Sequence, residues 1–115
     1  MDAFELADLR AARLAAGRQY LEFIRKPDLS IGLYELPAGG SDPQGPHTED
    51  EAYFVISGRA SILVGDEDRP VGPGSVVFVA ANIVHRFHHI EEDLVVLVAF
   101  GPAEGSRSIA AQGAT

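Results

Sequence analysis

From Tyr20 to Phe100 the chain is cut into short apolar runs by closely spaced turn residues, and this pattern limits the folds open to it. Turn chemistry stands at Lys26-Pro27-Asp28, through the Gly- and Pro-rich segment 37–46, at Ser57-Gly58 and at Gly65-Asp66-Glu67-Asp68. The runs between are too short for helices and rich in the residues that suit a pleated surface. Segments 20–25 and 30–36 read as one hairpin, and segments 51–56 and 59–64 as a second across Ser57-Gly58. Further short strands are predicted at 69–71, 75–79, 84–88 and 94–100. About eight strands with tight connections predict an all-β fold. A jelly roll fits this pattern, and a generic sandwich shares it.

One segment has helical character. Residues 2–16 carry Leu6, Leu9 and Leu14 as an imperfect apolar stripe. Asp2 is placed to cap them, with Glu5 completing a capping box, and Gly17 stops the helix. A short helix packed on the outside of the domain is expected, with a dimerisation arm as the alternative. The chain then divides into a helical segment (1–19), a β-barrel domain (20–100) and a flexible C-terminal tail (101–115).

At 115 residues this is one domain. A net charge of −8 leaves no basic stripe for nucleic acid and disfavours anionic membrane surfaces. The absence of cysteine removes disulfides, thiolate ligands and cysteine nucleophiles. No apolar run approaches the length of a membrane span, and the acidic N-terminus does not read as a secretory signal. A cytoplasmic protein is the expectation.

Chemistry concentrates in two stretches. The first, from Gly45 to Gly58, contains His47 and Glu51; the second, from Gly74 to Phe87, contains His85. Two imidazoles and one carboxylate suffice to hold a divalent transition metal while leaving positions open for substrate. Side chains alternate across a strand, so Glu51, Tyr53 and Val55 share one face. By the same parity His85, Phe87 and His89 share a face, while Arg86 and His88 point away.

Together these stretches resemble the two motifs of the cupin superfamily. His47 stands at the second histidine of the first motif, Glu51 at its glutamate and Gly58 at its closing glycine; Gly74 and His85 match the second motif. The resemblance spans roughly residues 33–100 and implies a small single-domain cupin, a jelly-roll β-barrel with a short N-terminal helix. It implies His47, Glu51 and His85 as ligands of Fe, Ni, Cu, Mn or Zn. The chain departs from the motifs in several places. Gly45 replaces the first histidine, Ala80 and Asn82 replace a proline and a glycine, and His89 stands at an asparagine position. Gln44, beside the missing histidine, is a candidate to supply an amide oxygen, and Glu49 is a rival carboxylate.

A divalent ion with one carboxylate is a net positive centre that favours an anionic oxygen ligand. Tyr53 is the best interior proton donor. His89 and Phe87 are candidate contacts to substrate or to the ligands. The expected function is metal-dependent chemistry, of oxygenase or isomerase/lyase type, on a small anionic oxygen-bearing metabolite. A non-catalytic small-molecule-binding barrel is the alternative. A homodimer is expected.

Overall fold

The structure, a computed structural model, describes residues 1–108. Helix α1 spans Leu6–Ala16, and six strands follow: β1 (Tyr20–Lys26), β2 (Leu29–Leu36), β3 (Asp50–Val64), β4 (Glu67–Val71), β5 (Val76–Val79) and β6 (His85–Gly101). All pairings are antiparallel, in the order β1-β2-β6-β3-β4, with β5 pairing residues 51–54 of β3 on the same edge as β4, away from β6. The all-β fold with an N-terminal helix is as expected, and the first hairpin forms where Lys26-Pro27-Asp28 placed it.

The strand count differs. The expected hairpin across Ser57-Gly58 is instead one bent strand, β3, and segments 84–88 and 94–100 merge into β6. Gly58 explains the first change. Its φ is +91°, and an added Cβ would lie 2.2 Å from the Asp93 carbonyl oxygen. The glycine serves a close crossing of β3 over β6, where a turn was expected. Register shifts between Val55 and Ser61 bend the pair there. The bend also changes the parity of β3: Glu51, Tyr53 and Val55 point inward before it, and Ala60 and Ile62 after it.

The main core fills the barrel with Tyr34, Leu36, Val55, Ile62, Phe87 and their neighbours. A smaller core lies outside, where Leu9 of α1 packs on Leu33 and Val95. This second layer explains why β2 is buried on both faces. The helix is also held by Arg10 and Arg13, which pair with Glu35. It starts later than expected. Glu5 is the N-cap without a side-chain bond, and Asp2 pairs with Lys26 at 3.2 Å instead of capping. Gly17 ends the helix in the left-handed conformation, as expected, while Leu14 is exposed.

The tail expected to fray from Gly101 is packed through residue 108. Ala103 is buried, and Ser30 Oγ accepts the Glu104 amide at 2.8 Å. The Glu49 carboxylate accepts the Gly105 and Arg107 amides at 2.7 and 3.0 Å. Residues 109–115 of that expected tail lie outside the described residues.

Candidate metal centre

Three separate elements bring His47, Glu51 and His85 together. Glu51 lies near the start of β3, between Val79 of β5 and Phe100 of β6. His85 opens β6. His47 sits on the loop before β3, where its carbonyl accepts the Asn82 amide at 2.7 Å. That bond ties the first motif to the turn leading into His85. Asn82 has φ +66°. It adopts the left-handed conformation a glycine would adopt, which short polar side chains tolerate. Potential ligand atoms of the three residues all lie within 4.8 Å of one another.

The hydrogen bonds around them fix the chemistry of these atoms. His85 Nδ1 is 2.9 Å from the Ile83 carbonyl oxygen, which can only accept. The ring proton therefore sits on Nδ1, and Nε2 of the neutral ring presents a lone pair. That Nε2 faces Glu51 Oε1 at 3.0 Å. Neither Glu51 oxygen, although buried, has a hydrogen-bond partner. Lone pairs facing one another in a buried site call for a cation between them. A proton is one candidate. Burial opposes charging of the ring, but the Glu51 carboxylate and Ile83 carbonyl outweigh it, so the His85 pKa is raised. A divalent metal is the other, and the donor set suits it.

Gln44 is turned inward. Its Oε1 lies 3.1 Å from His47 Nε2 and 3.3 Å from His85 Nε2, and it accepts the Tyr53 hydroxyl at 3.0 Å. Asp42 determines which end of the amide faces the histidines. The Gln44 Nε2 donates to Asp42 Oδ2 at 2.6 Å, and a carboxylate accepts only, so the oxygen must face the site. Separations of 3.0–3.3 Å are those of neighbouring donors around one ion with bonds of about 2.1 Å. Meanwhile a Cβ added to Gly45 would meet nothing within 4 Å. The loop offers residue 44 to the site in place of residue 45.

Other candidates are placed differently. Glu49 is buried, but its carboxylate binds the C-terminal segment. Burial raises its pKa, and the Thr48 hydroxyl and the Gly105 and Arg107 amides more than reverse this. His89 is exposed, against the expected parity. Its φ of +49° interrupts the alternation, so Ile90 takes the inward position. Phe87 is inward but packs edge-on behind Tyr53 at 4.9 Å, and its amide donates to Asp42 at 2.9 Å. Tyr53 lines the site as a neutral phenol. Burial and then the Glu51 carboxylate drive its pKa far upward.

Two residues of the site were not among the sequence candidates. Asp42 is one. The other is Glu104, whose Oε2 lies 3.6 Å from His47 Nδ1. Without a metal, Gln44 Oε1 accepts from His47 Nε2–H at 3.1 Å; a metal on Nε2 would send that proton to Nδ1, on the side of the Glu104 carboxylate. A cavity of about 370 Å³ opens beside these groups, walled by Tyr20, Tyr34, Val98 and Phe100.

Comparison with known proteins agrees with this architecture. The family described as "Cupin domain" (Cupin_2) matches residues 32–100. An uncharacterised protein of Streptomyces coelicolor is 55% identical over 104 residues, covering 90% of this chain and 99% of that protein. The structure of KdgF from Halomonas sp. is similar with a TM-score of 0.65 at 20% identity, covering 72% of this chain and 76% of that one. An RmlC-like cupin with a double-stranded β-helix fold from Methanocaldococcus jannaschii gives 0.66 at 19% identity, covering 72% and 78%.

Proposed function

This chain belongs to the cupin domain family, and from that premise we propose that it holds one divalent transition metal and binds a small anionic oxygen-bearing metabolite there. His47, Glu51 and His85 are the ligands, with the Gln44 amide oxygen as the fourth. The observation that carries this is the Glu51 carboxylate, buried with no partner on either oxygen and facing the His85 lone pair. When bound, the ion supplies a Lewis-acidic centre with positions left for ligand oxygens, serving oxygenase or isomerase/lyase chemistry.

The chain's own residues do the rest. Ile83 and Glu104 orient the two imidazoles, and Asp42 orients Gln44. Tyr53 keeps its proton and acts as a hydrogen-bond donor. The aromatic and aliphatic cavity wall limits water around the ligand. Gly45 at the first histidine position favours a second reading, a barrel that binds its ligand without turning it over. We also place the protein in the cytoplasm, in keeping with its lack of cysteine.

A homodimer belongs to this proposal. Phe54, Val76 and Phe78 are exposed together on the outer face of β3 and β5, where register sets Phe54 beside Val76. The strip is uncharged in a chain of net charge −8, so a second copy meets least repulsion there.

Optical and electron resonance spectra of metal-loaded protein, taken under nitrogen and then air, test the chemistry. A change on admitting air in the presence of ligand supports oxygen activation, and constant spectra with turnover support the Lewis-acid role. Loaded protein that transforms none of a panel of hydroxy and oxo acids supports the non-catalytic reading. A His85→Ala variant that retains full metal content contradicts the ligand assignment.

A further inference from the structure

Among the described residues, three buried side-chain oxygens lack a hydrogen-bond partner: both of Glu51 and the hydroxyl of Tyr20. Glu51 and Tyr20 line the same cavity. The proposed metal answers the Glu51 oxygens. It leaves Tyr20 unanswered, because a phenol proton needs an acceptor.

The position of Tyr20 is built into the fold. Its ring lies across Gly32, where an added Cβ would fall 2.1 Å from Cζ and 2.2 Å from the hydroxyl oxygen. The rings of Tyr34 and Phe100 meet it edge-on at 6.1 and 6.5 Å. Any residue larger than glycine at 32 would displace the phenol. Burial, and then the nearby carboxylates of Glu104, Glu22 and Glu51, push its pKa far above the ordinary phenol value. Tyr20 is therefore a fixed neutral donor in a negative surround.

We infer that the Tyr20 hydroxyl is the second anchor of the ligand. The ligand then has two unlike ends: an anionic oxygen end that chelates the metal, and a neutral hydroxyl or carbonyl oxygen that accepts from Tyr20. A second carboxylate at the far end is disfavoured, because Glu104 and Glu22 would repel it. The cavity volume of about 370 Å³ fits a small metabolite of this kind. This inference deepens the metal-site proposal and rests on it.

The test uses the full chain loaded with cobalt(II) and hydroxamates, which chelate as bidentate oxygen anions. Three-, four- and five-carbon hydroxamates are compared with and without a terminal hydroxyl, and binding is read from the cobalt absorption. Wild type should prefer the hydroxylated member at one chain length, on the order of tenfold. Tyr20→Phe should lose that preference while keeping its cobalt and its affinity for the plain hydroxamate. Its melting temperature should hold or rise, since an unpaired buried hydroxyl is removed. No preference in cobalt-loaded wild type at any length, or an unchanged preference in Tyr20→Phe, overturns the role of Tyr20 and leaves the metal site standing. Wild type that takes up no cobalt overturns both.

Discussion

Asp42 accepts from the Tyr34 hydroxyl, the Phe87 amide and both the backbone and side-chain amides of Gln44. Replacing it with asparagine introduces a donor, so the Gln44 amide can turn its nitrogen toward the imidazoles. Asp42→Asn should weaken metal affinity by about 10–100-fold in a chelator competition; unchanged affinity would remove Gln44 from the ligand set. His85 carries a pH prediction. Its pKa is raised in the metal-free fold, so the stability it contributes is fully present below the unfolded histidine value of about 6.5. That stability is lost as pH rises through the folded value. Chelator-treated protein should melt progressively lower above about pH 6.5, and saturating metal should abolish the trend. The grouping of His47, Glu51 and His85 was legible in the sequence because the two stretches that carry them resemble the cupin motifs. Glu104 was not, because its role arises from a partner 57 positions away, His47, and Asp42 was not, because the bond that holds it inward beside Gln44 comes from the Phe87 amide 45 positions away. His89 was misplaced because alternation cannot register a single left-handed residue.

At the scale of elements, β3 and β6 do most of the positioning. Each is long and bent, and each presents a ligand from the half of the strand nearest the site. Ser57-Gly58 looked like a turn because turns and close strand crossings both select glycine, and only the structure separates them. Gly58→Ala tests the crossing. With φ at +91° and the Asp93 carbonyl in the way, it should destabilise the fold by ~3 kcal/mol or more in denaturant titration. A loss under ~1 kcal/mol would fit a relaxed turn. The segment 102–108 is latched by the buried Glu49 carboxylate and carries Glu104 to His47. Glu49→Gln replaces one of the two accepting oxygens with an amide nitrogen, which then opposes the backbone N–H that oxygen had accepted. Hydrogen exchange at Gly105 and Arg107 should accelerate, with ~1–3 kcal/mol lost from the fold. Unchanged exchange would mean that Ala103 and Ser30 hold the segment without the latch.

For the whole molecule, the sequence expectation of an all-β barrel with an outer helix holds, because turn spacing and alternation are local properties of the chain. The closing of that barrel around one site depends on long-range pairing that no local pattern records. The same barrel leaves an apolar strip at Phe54, Val76 and Phe78. Wild type is predicted to sediment as a dimer and Phe78→Lys as a monomer with unchanged metal content; a monomeric wild type, or a variant that stays dimeric, would contradict an interface on this strip. The central claim is that the inward groups of the barrel hold a metal. Its most direct test is elemental analysis of protein purified without a metal-affinity tag, beside Glu51→Ala prepared in the same way. We predict close to one iron, nickel, copper, manganese or zinc ion per wild-type chain, and a large loss in the variant. Wild-type protein that carries no metal and takes up none of these ions when they are added would contradict the account.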